Sequence, residues 1–145
     1  MRLSHHILFS SYFSFLGLSL TKNVPFSSAL LTGAVLIDLD HLIDYYLIYK
    51  SDQKSVRDFF RVCHRHGLSR YVLALHSFDL LAAAAAVIYF TGFMNPLAAG
   101  LFVGFFIHLA LDALFNNIGK YSYLFFYRLS RNFEPSLFQI EEIRI

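Results

Sequence analysis

Four long apolar segments make up most of this chain and leave it few folds to choose from. They cover residues 5 to 20, 24 to 49, 71 to 93 and 95 to 116, and none contains lysine or arginine. A bilayer core about 30 Å thick is crossed by about 20 helical residues, so the last three segments are long enough to span it. We expect the first segment to span as well, because Lys22, Asn23 and Pro25 form a tight turn into the second.

The composition supports a membrane protein. Hydrophobic residues make up 57% of the chain and charged residues only 15%, which is outside the range of soluble domains. We predict an all-α, polytopic membrane protein with a single domain over residues 1 to 145, built as a bundle of about four transmembrane helices with interfacial helices. The N-terminal run has no small-residue cleavage site, so we expect it to stay on the protein.

Charge and cysteine content exclude several other classes. The net charge of +2 is too small to favour nucleic-acid binding. Cys63 is the single cysteine, which rules out an internal disulfide and a cysteine-based zinc site.

The basic residues set the expected topology. The loop over residues 50 to 70 carries six of them against two acidic residues, namely Lys50, Lys54, Arg57, Arg61, Arg65 and Arg70 against Asp52 and Asp58. The positive-inside rule makes this loop cytoplasmic, and with it both termini of a multi-pass protein in the inner or cell membrane. Its apolar spacing predicts an amphipathic surface helix. The aromatic and basic tail over residues 117 to 145 predicts a second interfacial helix.

Ionisable side chains inside the apolar segments are the main functional signal. Five of the ten acidic residues fall there: Asp38, Asp40, Asp44, Asp79 and Asp112. A carboxylate at mid-membrane costs roughly 2.5 to 3.5 kcal/mol on insertion scales, so other groups must neutralise them. His41 lies among the first three. We expect His76 to share a helical face with Asp79, and His108 with Asp112.

The depths of these groups agree. On the expected topology all of them lie roughly 6 to 16 Å below the cytoplasmic surface, and His5 and His6 stand at the start of the first helix, of which we favour His6. Imidazole and carboxylate ligands without thiolate suit zinc first, with manganese or iron as alternatives. The sequence therefore predicts one or two divalent ions, with a modest preference for two.

Two other interpretations fit the same residues. An interhelical hydrogen-bond network would satisfy single His and Asp groups, and a proton or ion pathway would use the whole set. The outer halves of the helices offer only Ser27, Ser28 and Thr32 as polar groups, which argues against a complete pathway. We interpret His64 and His66, in the basic loop, as surface residues.

The order of motifs resembles a known family. The run from Gly33 to His41 reads Gly-Ala-Val-Leu-Ile-Asp-Leu-Asp-His, and it is followed by His76-Ser77 and by His108-Leu-Ala-Leu-Asp112, with His6 near the start. This pattern resembles the membrane-bound metal-dependent hydrolases of bacteria and archaea over most of residues 5 to 116. The spacing of His108 and Asp112 is also similar to that of zinc-dependent phospholipases C.

The resemblance implies roles for particular residues. The metal ligands would be His6, Asp38, Asp40, His41, His76, His108 and Asp112. The chain departs from the family at Ile37, where a proline is common. It departs again at residues 65 to 69, where the Arg-Gly-x-Thr-His-Ser loop is matched only in part and lies apart from His76.

The expected function is hydrolysis of a phosphoester or acyl bond in a membrane lipid or amphiphile at the cytoplasmic face. A metal-bound water would supply the nucleophile, and Asp79 or Asp44 would take its proton. Arg65, Arg70 or Arg128 would hold an anionic headgroup. The alternative is a metal-binding or ion-conducting or proton-conducting membrane protein without catalysis.

Overall fold

A computed structural model of the chain describes residues 3–50, 54–64, 67–116, 118–119 and 121–138. These residues contain helices and no strand, so the all-α prediction is confirmed for them. The helices are α1 (Leu3–Thr21), α2 (Val24–Leu36), α3 (Leu39–Ile48), α4 (Val56–His64), α5 (Phe78–Thr91), α6 (Pro96–Phe115) and α7 (Phe125–Ser130), followed by a 3-10 turn at Pro135–Phe138.

The second apolar segment forms two helices rather than one. Between α2 and α3, the N–H of Asp38 bonds to the carbonyl oxygen of Val35, and that of His41 bonds to Asp38. The hydrogen bonds thus tighten to an i to i+3 pattern for about one turn. The carbonyl of Ala34, which a continuous helix would pair with the N–H of Asp38, is left for another partner.

The third apolar segment is shorter as a helix than predicted. Residues 71 to 77 are not helical, and α5 begins only at Phe78. The expectation that His76 and Asp79 share a helical face is therefore wrong. The reason is tertiary: side chains from α3 and α7 bind the backbone N–H and C=O groups of this segment, here called the 71–77 segment, in place of helical partners.

Similar caps begin α2 and α6. The side chain of Asn23 accepts the N–H of Phe26 at 2.9 Å, and Asn95 accepts that of Ala98 at 3.0 Å. Each cap is followed by a proline in the first helical turn, where the missing N–H costs nothing. These caps fix where the two longest apolar stretches begin.

Glycines bring α2 and α6 into close contact. Gly100 and Gly104 lie one helical turn apart on the buried face of α6. A Cβ at Gly104 would overlap the carbonyl oxygen of Leu30 and lie 2.8 Å from the nitrogen of Ala34. His108 and Asp112 continue the same face at the same spacing, so the approach that the glycines permit carries both side chains against the end of α2.

Two stretches are long and apolar enough to cross a membrane. They are Val24–Ile48, which contains the break between α2 and α3, and Pro96–Phe115. Among the described residues this differs from the expected four spans, because α5 has only 14 residues, about 21 Å, and α1, although it has 19 residues, is less apolar than the two stretches. The basic loop contains a helix, α4, as predicted, and its place on a membrane surface stays a prediction. In the tail, helix is limited to α7 and the 3-10 turn, and residues 139 to 145 lie outside the described part.

Candidate metal centre

His108 has its orientation fixed by the break between α2 and α3. Its Nδ1 lies 2.7 Å from the carbonyl oxygen of Ala34, and the imidazole is fully buried. A carbonyl oxygen can only accept, so Nδ1 carries the proton of the hydrogen bond. In the neutral imidazole, Nε2 then carries the lone pair, and this atom is buried without a hydrogen-bond partner.

His76 is oriented in the same way by a carboxylate. Its Nδ1 lies 2.9 Å from Oδ1 of Asp40, and Asp40 also accepts the backbone N–H groups of Leu75 and His76. A carboxylate that binds the outer nitrogen of an imidazole is the usual second partner of a metal-binding histidine. Nε2 of His76 is again buried without a hydrogen-bond partner.

The two Nε2 atoms face two carboxylate oxygens. Nε2 of His108 lies 3.5 Å from Oδ1 of Asp38 and 3.4 Å from Oδ2 of Asp112. Nε2 of His76 lies 3.5 Å and 3.7 Å from the same two oxygens. Asp38 is free to take part because it makes no side-chain cap bond to α3, although it occupies the cap position. We call these four side chains the His/Asp ring.

The dimensions of the His/Asp ring match those of a metal site. A tetrahedral ion with bonds of about 2.0 to 2.2 Å holds its ligand atoms about 3.3 to 3.6 Å apart. The measured separations of 3.4 to 3.7 Å are long for hydrogen bonds. When both imidazoles are neutral, their Nε2 lone pairs and the carboxylate oxygens repel each other at this distance unless a cation lies between them. The donor set therefore fits a divalent metal ion.

His6 and His41 flank the ring on opposite sides. Nε2 of His6 lies 3.1 Å from Oδ1 of Asp112, the oxygen that faces away from His76, and its imidazole stacks on that of His108 at 4.1 Å. His41 contacts the imidazole of His76 edge-on at 4.8 Å and forms a three-residue cluster with Asp40 and His76. All seven residues assigned as ligands by resemblance thus lie in one connected group. Its size leaves room for the second predicted ion.

Asp44 and Asp79 have backbone partners instead. Asp44 accepts the N–H groups of Val72 and Leu73 at 2.7 and 3.1 Å. Asp79, at the start of α5, accepts those of Phe125 and Phe126 at 2.9 and 3.0 Å and so caps α7. Neither carboxylate belongs to a His/Asp cluster in the described part of the chain, and backbone donors neutralise both.

Arg128 is the support of the 71–77 segment. Its guanidinium donates to the carbonyl oxygens of Leu73, at 2.8 Å, and His76, at 3.1 Å, and to the hydroxyl of Ser77. The side chain is fully buried. Burial lowers the pKa of Arg128, an effect opposed by the nearby carboxylates of Asp79, Asp40 and Asp44. The expected contact of Arg128 with a headgroup differs from this arrangement, because the side chain is fully buried and both of its terminal NH2 groups bond inside the protein.

The remaining predicted residues lie apart from the ring or outside the described part. Arg70 is exposed, and so is His5. Arg65 and His66 fall outside the described residues, and nothing is described of the side chain of His64. Sequence reasoning missed the carbonyl of Ala34 and the supporting role of Arg128. The sequence offers no signal for the first, and for the second only the position of Arg128 among the aromatic residues of the tail.

No family model, curated protein or solved structure matches this chain. The case for a function therefore rests on the His/Asp ring and on the apolar helices that carry it. The resemblance to membrane-bound hydrolases stays a prediction.

Proposed function

We propose that this chain is a membrane-embedded, metal-dependent hydrolase that cleaves a phosphoester or acyl bond of a lipid or amphiphile. One observation supports it above the others. Two histidines, with Nδ1 held by Ala34 and Asp40, aim unpartnered Nε2 atoms at carboxylate oxygens 3.4 to 3.7 Å away. Zinc fits this donor set, and manganese or iron are alternatives.

The proposal includes a four-span arrangement. In it, α1, the α2–α3 pair, α5 and α6 cross the membrane, with α4 on the cytoplasmic surface beside both termini. The 71–77 segment would cross the part of the membrane thickness that α5 is too short to span. Irregular backbone is tolerated at membrane depth when its polar groups are satisfied inside the protein, and Asp40, Asp44 and Arg128 satisfy those of this segment.

The side chains divide into ligands and supports. His76, His108, Asp38 and Asp112 would hold the ion, and Asp40 would orient His76. The ion would supply a water ionised near neutral pH and a polarised substrate oxygen. Because Asp44 and Asp79 bind backbone N–H groups and belong to no His/Asp cluster in the described part of the chain, we move the role of proton acceptor from these two to Oδ2 of Asp38, the oxygen of that carboxylate that does not face the two Nε2 atoms.

Metal analysis of the detergent-purified protein is the first test. We expect about one or two divalent ions per chain in the wild type, and loss of most of that metal in the His76→Ala plus His108→Ala variant. His5→Ala is the matched control, because His5 is exposed one position before the buried His6 and should leave the metal content unchanged. A wild-type protein that stays metal-free after reconstitution would contradict the proposal.

A panel of lipids, acyl esters and phosphoesters tests catalysis separately. Turnover should require the metal and should be lost in the same double variant while His5→Ala retains it. If the protein binds metal but turns over no substrate, the metal site would be supported and the hydrolase activity would be contradicted.

A metal-binding protein without catalysis is the second candidate, and the ligand count favours it. Four protein ligands already complete a tetrahedral ion, as in structural zinc sites, whereas catalytic sites keep a position for water. The absorption spectrum of the cobalt-substituted protein separates the two. Intense tetrahedral bands that do not respond to added anions indicate the closed site, and weaker bands of a five- or six-coordinate ion indicate the catalytic one.

A further inference from the structure

The His/Asp ring is closed on all sides but one. The side chains of His76, His108 and Asp112 expose between 0 and 7% of their surface, whereas that of Asp38 exposes 27%. A molecule that reaches the ring from outside therefore passes Asp38.

The surface around Asp38 is apolar. Within one helical turn of it, Val35, Leu39 and Leu42 expose 36%, 46% and 36% of their surface. Ala34 and Ile37, which also lie within one turn of Asp38, are fully buried. Asp38 thus stands at the edge where the buried face of α2 and α3 meets an exposed apolar face. That face belongs to the stretch Val24–Ile48, which is long and apolar enough to cross a membrane.

We infer that the metal centre opens sideways, past Asp38 and between Val35, Leu39 and Leu42, into the hydrocarbon of the bilayer, and that its substrate is a lipid-dissolved carboxylic ester. This rests on the proposed hydrolase function and narrows it, because it selects the acyl bond over the phosphoester. A group that enters through hydrocarbon must be uncharged, since an ionised group is strongly disfavoured there. A carboxylic ester meets this condition, and an anionic phosphoester does not.

The reaction balances with water as the second substrate. Water adds its oxygen to the carbonyl carbon and gives a proton to Asp38. The bond from carbon to the alkoxy oxygen then breaks, and the leaving alkoxide takes that proton. The products are a fatty acid and an alcohol, and both return to the bilayer by the same opening.

The position of the opening is tested by fluorescence, without reference to activity. The chain contains no tryptophan, so Leu42→Trp and Leu39→Trp each report from a single site, and Arg57→Trp on exposed α4 is the aqueous control. In proteoliposomes we expect phospholipids with brominated acyl chains to quench the indole at position 42 or 39 strongly and iodide to quench it weakly, with the reverse at position 57. Strong quenching by iodide at positions 39 and 42 would overturn the lateral opening.

The link between the opening and the ring is tested by metal extraction. Phenanthroline dissolves in lipid and EDTA does not, so phenanthroline should remove the metal from the reconstituted wild type at least 10-fold faster. Leu42→Trp narrows the opening and should slow this extraction several-fold. Leu36→Trp is the control, because Leu36 is 40% exposed but, two positions before Asp38, lies about 120 to 160° around the axis from it. Equal effects of the two variants would contradict the inference.

The substrate class is tested with three esters that share a nitrophenol leaving group: palmitate in mixed micelles, water-soluble acetate and a phosphodiester. We expect the palmitate to turn over at least 10-fold faster than the other two, with Leu42→Trp reducing that rate and Leu36→Trp preserving it. Equal rates for acetate and palmitate would overturn the assignment. Turnover of none of the three would contradict the proposed hydrolase and its substrate, while quenching and extraction still decide the opening.

Discussion

Asp40 and Asp44 lie one helical turn apart on α3, and each accepts two N–H groups of the 71–77 segment. Asp40 also holds Nδ1 of His76, so it serves both the backbone and the metal centre. Asp44 serves the backbone alone. A carboxylate in an apolar segment can thus be neutralised by N–H donors as well as by a metal. Asp40 and Asp44 differ in the atoms that contact them.

Replacing Asp44 should therefore affect stability more than metal binding. In Asp44→Ala the N–H groups of Val72 and Leu73 lose their acceptor, and each buried donor left unsatisfied costs about 1 to 3 kcal/mol. Asp44→Asn keeps one oxygen and should lose less. Thermal unfolding in detergent, followed by metal analysis of the folded fraction, measures both effects. Full loss of metal with unchanged stability would show that Asp44 is a ligand.

Cys63 should react slowly with alkylating reagents. Burial raises the pKa of its thiol to about 11, and the nearby charges of Asp44 and Asp38 act in the same direction. At pH 8 about one thiol in a thousand is then ionised, and only the thiolate reacts. Alkylation by iodoacetamide should be on the order of 100-fold slower in the folded protein than in the SDS-unfolded control. The folded rate should keep rising until pH 11, and equal rates at pH 8 would contradict the raised pKa.

At the scale of elements, the 71–77 segment depends on α7 as well as on α3. Arg128 binds two of its carbonyl oxygens with a planar fork, which lysine cannot reproduce. Arg128→Lys should displace His76, lower the melting temperature, and reduce metal content, since hydrogen bonds to charged groups contribute about 1.5 to 3 kcal/mol each. Arg131→Lys, exposed on the ring of Tyr127, is the matched control. Normal metal content in Arg128→Lys would show that His76 is held without it.

Packing of α2 on α6 sets the position of His108. A Cβ at Gly104 would overlap the carbonyl of Leu30 and crowd Ala34, whose own carbonyl orients His108. Gly104→Ala should destabilise the protein by about 1 to 3 kcal/mol, the usual cost of overpacking, and weaken metal binding. In Gly17→Ala the nearest atom is the flexible ring of Phe26 at 3.3 Å, so this variant should change little. Melting temperatures of the two variants, measured side by side, provide the comparison.

For the whole molecule, the sequence allowed the helical class and the composition of the ring to be predicted. Long apolar runs mark α1, α6 and the α2–α3 stretch, and His108 and Asp112 share a face of α6 because they are four positions apart. The start of α5 could not be predicted, because residues 71 to 77 belong to the same apolar run as the helix that follows them. Partners 28 to 55 residues distant in sequence hold it in a non-helical conformation. The same long-range contacts give Asp44 and Asp40 different roles, because Asp40 also binds the imidazole of His76.

The number of membrane-spanning helices can be tested by a cysteine-labelling experiment. If all four helical units cross, the turn before α6 and the surface helix α4 lie on opposite sides of the membrane. If only Val24–Ile48 and Pro96–Phe115 cross, everything between them lies on one side. Met94 in the turn is 58% exposed, and Arg57 on α4 is exposed, so cysteines at these positions report on the two sides.

In a Cys63→Ser background, we expect an impermeant maleimide to label Met94→Cys in intact cells and Arg57→Cys only after lysis. The positive-inside rule places the basic α4 in the cytoplasm, and crossing by α5 carries residue 94 outside. His5→Cys, exposed at the start of α1, should label only after lysis if α1 crosses and in intact cells if it does not, which extends the test to the first helix. Ala83→Cys within α5 is the control for a position in hydrocarbon and should stay unlabelled in both samples. Labelling of Met94→Cys only after lysis, together with Arg57→Cys, would show that α5 does not cross and stays on the cytoplasmic side.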